Sequence, residues 1–130
     1  GHGVVMRGAM SPSQLAGDLL QADLLLYPCD PIRFTEGFSV STLEACAAGA
    51  IPVITDADAL GEVYGKSGAV VVPRGDGRLW VDQYLEEVLK LLGDESRVSR
   101  RSSLREFAAQ FGWDVVADRW TEVIAKYGKS

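Results

Sequence analysis

Histidine is nearly absent from this chain, cysteine is scarce, and no apolar run is long. The single histidine, His2, lies in Gly1-His2-Gly3. That stretch reads as a tag remnant or cut end, residues 1–3 being set apart from the domain. His2 is not expected to act as ligand or catalyst. Cys29 and Cys46 form no CxxC and have no histidine partner. Reduced thiols are therefore expected, and neither a disulfide nor a metal site. Nothing approaches the roughly 18–20 apolar residues of a membrane span, and no signal peptide is visible. Basic residues are the minority, 13 against 18 acidic, and the net charge of −5 argues against non-specific nucleic-acid binding. No repeat or low-complexity segment is present.

What is there is enough apolar material for one domain. The chain has 130 residues, 47% of them hydrophobic, and residues 4–130 can bury a real core. Three short apolar runs read as buried parallel strands: Leu24–Tyr27, bounded by Asp23 and Pro28; Ile51–Thr55, with Pro52 near its start; and Ala69–Val72. Ser11, Pro12 and Gln14 form a capping box that should start the first helix. After Trp80 the chain reads as helices over about 79–92, 96–110 and 113–126, broken at Gly93–Ser96 and Gly112. Arg97, Arg100, Arg101 and Arg105 make a basic stripe on the second of these, read as a solvated face. Trp80, Trp113 and Trp120 are expected to pack in the core or cover the sheet.

Between the first two strands lies the stretch F-T-E-G-F-S-V-S-T-L-E-A-C-A-A-G-A-I-P, Phe34–Pro52. Glu36 and Glu44 bracket the start of a small, apolar helix entered through Gly37-Phe38-Ser39. The first amides of a helix lack internal partners and carry partial positive charge, which makes that end a seat for phosphate. Carboxylates beside such a seat would repel phosphate but can hold hydroxyls, and a nucleotide sugar has hydroxyls on both sides of its diphosphate. Spacing alone proves nothing, because Glu87 and Glu95 also stand eight apart. Helical phase separates the cases. With the helix over about Ser39–Ala48, Val40, Leu43 and Ala47 form the expected apolar stripe, and Glu44 falls near its edge. Gly49 suits the position just past the helix end. Strand, loop, helix, Gly, strand is a βαβ unit whose loop lies at the carboxyl end of its strand, where open α/β sheets bind ligands.

These segments together resemble the C-terminal, donor-binding domain of retaining GT-B-fold glycosyltransferases (glycosyl transferases group 1). Val5–Gly8 resembles the family's strand-to-Gly segment and Ala22–Pro28 its A-D-hydrophobic-P strand. Glu36–Glu44 resembles the E-x7-E element, and Glu44-Ala45, Ala48-Gly49 and Pro52-Val53 its E-A-x-A-x-G-x-P-V. Glu62-Val63, Gly68 and Val70–Pro73 resemble the next strand, and Phe111–Trp113 the aromatic pair opening a late helix. Two positions depart from the pattern: Cys29 replaces the usual Ser or Thr, and Ser39 replaces the family's second Gly.

The resemblance implies an α/β fold: a three-layer, Rossmann-like parallel sheet flanked by helices, part of a GT-B C-terminal domain. It implies that Glu36, the expected catalytic residue, holds donor-sugar hydroxyls. Gly37, Phe38, Ser39, Val40, Ser41, Thr42 and Leu43 hold the diphosphate, and Glu44 holds the ribose. Arg7 and Gly8 fall where the base is contacted. No cofactor or metal is required. The partners implied are a nucleotide sugar and an acceptor domain that, with the family's basic Arg/Lys pair, lies upstream of residue 1. The fragment alone is then expected to be inactive, the full protein cytoplasmic or at the inner face of the membrane. A free-standing, non-catalytic half-domain binding nucleotide sugar or a partner chain is the alternative. Non-hydrolysing sugar-nucleotide epimerases share the fold but need acid/base residues that this histidine-poor cleft lacks.

The resemblance also implies the strand order 3-2-1-4-5-6. Val4–Met6 would be strand 3 and Leu24–Tyr27 strand 4, with strands 1 and 2 absent. An apolar edge so uncovered is a template for pairing. The expectation is that Val4–Met6 pairs directly beside Leu24–Tyr27, or that a dimer forms across that edge.

Overall fold

The computed structural model describes residues 3–29, 37–75 and 78–128. The chain runs α1 (Pro12–Gln21), β1 (Leu24–Tyr27), α2 (Val40–Ala48), β2 (Ile51–Thr55), α3 (Leu60–Tyr64), β3 (Val70–Val72), α4 (Arg78–Leu92), α5 (Arg97–Ala109), α6 (Trp113–Tyr127). The capping box forms as the sequence predicts: Ser11 Oγ accepts from the Gln14 amide at 3.3 Å, and Gln14 Oε1 accepts from the Ser11 amide at 2.9 Å.

The three strands are parallel in the order β1-β2-β3, with Leu24 beside Ile51 and Val53 beside Val70. Successive side chains of a strand point to opposite faces, and all five residues of β2 are buried. Both faces of the central strand are therefore covered, as the α/β reading requires. The main core gathers Ile51, Val53 and Ile54 of β2 with Tyr64, Val72, Tyr84, Val88, Leu91 and Leu104. Tyr84 adds a polar anchor, its hydroxyl donating to the Val53 carbonyl at 2.5 Å.

Four expectations are corrected. Val4–Met6 forms no strand; its side chains are 77%, 74% and 89% exposed, and the segment runs past α1, where Arg7 grips Asp18 through two nitrogens at 2.7 and 3.0 Å. Three residues without their usual neighbours cannot hold a register, so the β1 edge stays uncovered among the described residues and Leu26 is half exposed. The buried face of α2 is Thr42, Ala45 and Cys46, whereas Val40 and Ala47 are exposed and Leu43 is half buried. Small residues win the inner face because sheet and α5 approach it closely.

The arginine stripe of α5 is only partly solvated: Arg105 is exposed, while Arg97, Arg100 and Arg101 are half buried. Arg100 Nη1 donates to the Gly68 carbonyl at 3.1 Å, Arg105 Nη2 to the Ala48 carbonyl at 3.1 Å, Arg97 Nε to the Asp94 carbonyl at 3.2 Å, and Arg101 pairs with Asp23. The guanidiniums of Arg97, Arg100 and Arg105 close carbonyls that helix and turn ends leave open. Of the tryptophans, only Trp80 meets the core, edge-on to Tyr84; Trp113 is 88% and Trp120 62% exposed, and α6 buries no residue.

Candidate donor-binding site

The loop after β1 delivers the chain into α2 through Gly37-Phe38-Ser39; Glu36 lies outside the described residues. Ser39 is the N-cap of α2 and has φ 57°, in the left-handed region that glycine enters freely and serine at a cost of roughly 1–2 kcal/mol. Several contacts hold it there. Ser39 Oγ accepts from the Thr42 amide at 3.3 Å and lies 2.9 Å from Thr42 Oγ1. The Ser39 carbonyl takes two donors, the Leu43 amide at 3.2 Å and the Tyr64 hydroxyl at 2.8 Å. Ser39 is 4% exposed and Thr42 and Tyr64 are fully buried, so this is a closed internal bracket. The Ser39 side chain is thus turned inward as a cap.

Phe38 is fixed from above. Its ring meets Tyr64 at 5.9 Å and Phe111 at 5.3 Å, and Phe107 joins Tyr64 at 5.7 Å and Phe111 at 5.2 Å. Tilted ring pairs at these separations are favourable beyond their buried area. Four aromatic residues from the site loop, α3 and the α5–α6 corner therefore clasp the turn. The sequence reading missed this clasp; the four-residue spacing of Phe107 and Phe111 was the one available signal.

The first turn of α2 then divides its donors. The Thr42 and Leu43 amides are used by Ser39, and the Val40 and Ser41 amides are the ones left outward among the described residues. Val40, Ser41 and Glu44 are exposed, Leu43 is half buried and Thr42 is buried. Glu44 stands one turn on, at the wall of an open groove of about 470 Å³ between α1 and α2. Its remaining lining is apolar or methylene-rich: Met10, Pro12, Leu15, Leu19 and Ala47 among others. Met10 also lines a smaller hollow of about 240 Å³ with Arg7, Gln14 and Asp18, which joins the Arg7–Gly8 segment to the same side. Gly8 has φ 67° and open space around its Cα. Met10 thus lies between the groove that Glu44 lines and the hollow that Arg7 lines.

The cysteines are spent on structure. Cys29, at the family's Ser/Thr position, exchanges both backbone groups with Thr55 Oγ1 at 2.9 and 2.7 Å, so β1 and β2 end together. Cys46 is buried on the inner face of α2, and burial pushes its thiol from 9.0 up to about 12. Among the described residues no three His, Cys, Asp or Glu side chains gather as a metal site, and no helix is long and apolar enough to cross a membrane.

The glycosyl transferases group 1 family matches residues 1–94, which include α1 through α4 and the whole candidate site. The chain is 28% identical over 115 residues to the GDP-mannose:cellobiosyl-diphosphopolyprenol alpha-mannosyltransferase of Xanthomonas oryzae pv. oryzae (strain PXO99A), covering 88% of this chain and 29% of that protein. It is 26% identical over 114 residues to the protein of the same description from Xanthomonas campestris, again covering 88% and 29%. The chain thus spans under a third of the length of these curated relatives. A family match over most of the chain, on a parallel α/β sheet, has one meaning: the chain belongs to the glycosyl transferases group 1 family.

Proposed function

We propose that residues 4–130 are the nucleotide-sugar-binding portion of a retaining glycosyltransferase, part of its C-terminal domain. The observation that carries this is the position of Glu44. It is an exposed carboxylate on the rim of an otherwise apolar groove, one turn along from outward amides at a helix N-terminus. An apolar groove suits the flat face of a base, a carboxylate suits a ribose diol, and amides with the helix dipole suit a diphosphate. In this reading the base lies against Met10 beside Arg7 and Gly8, Glu44 accepts from the ribose hydroxyls, and the amides left open in the Gly37–Leu43 stretch hold the diphosphate. Glu36 takes hydroxyls of the donor sugar. As the bond from sugar to phosphate breaks, charge grows on the departing diphosphate, and fixed amides stabilise it with no reorganisation. No metal is needed for that role.

The names of both relatives specify GDP-mannose as donor and a diphosphopolyprenol-linked acceptor, which makes GDP-mannose the first donor to try. In this reading the acceptor domain and the basic pair that clamps the diphosphate lie upstream of residue 1, so residues 1–130 alone should bind weakly and turn over nothing. The test is a panel of UDP-, GDP- and ADP-sugars offered to the full-length protein, with transfer followed by product mass and anomeric configuration. One donor used with retention supports the proposal. Binding without transfer to any acceptor supports the non-catalytic half-domain, and transfer with inversion refutes the mechanism.

A further inference from the structure

We infer that Tyr64 is a positioning residue for the donor diphosphate, acting through the Ser39 carbonyl in place of a glycine; this rests on the donor-site reading above. The enzyme family's pattern has glycine at position 39, where a left-handed φ costs nothing. This chain has serine there at φ 57°, so something must hold the turn against its own preference. The Ser39 cap on Thr42 does not suffice, because a serine cap forms equally well from an extended N-cap, as it does at Ser11 with φ −69° and ψ 156°. The contact peculiar to this turn is the hydroxyl of fully buried Tyr64, 2.8 Å from the Ser39 carbonyl and 25 residues away in sequence.

That bond reaches the seat directly. The same carbonyl accepts the first helical bond of α2, from Leu43, so fixing its direction fixes the axis along which the Val40 and Ser41 amides point. Tyr64 is itself fixed by ring contacts to Phe38 and Phe107, and Phe38 is the residue just before Ser39. The hydroxyl and the ring therefore hold two consecutive residues of the turn. The hydroxyl touches no substrate in this reading. It keeps the amides aimed before the diphosphate arrives, which is preorganisation and not binding.

Tyr64→Phe removes the hydroxyl and keeps the ring, and the Ser39 carbonyl still has Leu43. GDP and guanosine binding to the full-length protein should then separate. GDP should weaken about three- to tenfold, the scale of one internal hydrogen bond, while guanosine, which has no phosphate, should bind as to wild type. In a Ser39→Gly background, where glycine needs no lock, adding Tyr64→Phe should cost GDP less than about twofold. Hydrogen exchange of peptides covering residues 39–46, without ligand, should quicken about three- to tenfold in Tyr64→Phe and much less in the double variant. Equal weakening of GDP and guanosine, or the same loss in both backgrounds, overturns the inference. Wild-type protein that binds neither probe refutes the donor site instead; unchanged exchange in Tyr64→Phe then refutes the lock, and quickened exchange upholds it.

Discussion

Replacing Glu44 by alanine isolates the ribose contact, because Glu44 is exposed and no described residue bonds to its carboxylate. Nothing in the fold should depend on it, so thermal unfolding should match wild type. The binding cost follows from its surroundings. A carboxylate spanning two vicinal hydroxyls makes two charge-assisted hydrogen bonds, but on a groove rim it gives up good hydration to make them. The net loss should be about 1–3 kcal/mol, which is a rise in Kd of roughly 5- to 150-fold. Calorimetry of the full-length protein with GDP is the assay, with 2′-deoxy-GDP as second ligand. Wild type should lose affinity on going to the deoxy ligand, whereas Glu44→Ala, already lacking the acceptor, should scarcely distinguish the two. Glu87→Ala serves as control: Glu87 is the first of the decoy pair, bonded to Lys90 at 2.7 Å on the far helix, and should change nothing. Unaltered GDP affinity in Glu44→Ala, or equal discrimination against the deoxy ligand in both proteins, refutes the ribose assignment.

Leu104 is fully buried and lies beyond the family match, so Leu104→Ala tests whether α5 is integral to the core. Urea unfolding of the 130-residue chain should show a loss of roughly 2–5 kcal/mol, and a loss near zero would mean α5 is an appendage. Stability should also fall in alkali. Burial raises the Cys46 thiol from 9.0 to about 12 and the Tyr84 hydroxyl from 10.0 to about 12. The folded state then holds protons that the unfolded chain has already released. This contribution is complete below about pH 9 and is lost as pH rises towards 12; a urea midpoint flat across that window would refute it. Since Val4–Met6 does not take the open side of β1, the 130-residue chain is expected to dimerise across that edge; a monomer by sedimentation refutes this.

What the sequence made legible was what is local. The Ser11 cap, the strand at Leu24–Tyr27, the Gly49 helix end and the βαβ placing of Ser39–Glu44 each depend on a few neighbouring residues, and each stands in the structure. The face of α2 was not legible. Val40, Leu43 and Ala47 match helical spacing, yet Thr42, Ala45 and Cys46 are buried, because what selects small side chains is the nearness of the sheet and of α5, 50 residues on. The α5 arginines were misread for the same reason: charge pattern shows a stripe, and only the fold shows open carbonyls beneath it. Trp113 and Trp120 were expected inside on hydrophobicity alone, and nothing local records that α6 leaves the body of the chain. The Tyr64–Ser39 bond joins residues 25 apart and had no local signature.

One property of the groove bears on ionic strength. Among the described residues no lysine or arginine lines it, and Arg7, the cation of the adjoining hollow, already holds Asp18. Phosphate bound through the described residues would be held by neutral amide dipoles close to a carboxylate. Such binding releases no counterions, so added salt should leave it level or strengthen it slightly by screening Glu44 from the phosphates. A steep loss of nucleotide affinity with salt in the full-length protein would therefore be a direct gauge of how much the donor owes to cations elsewhere in the chain.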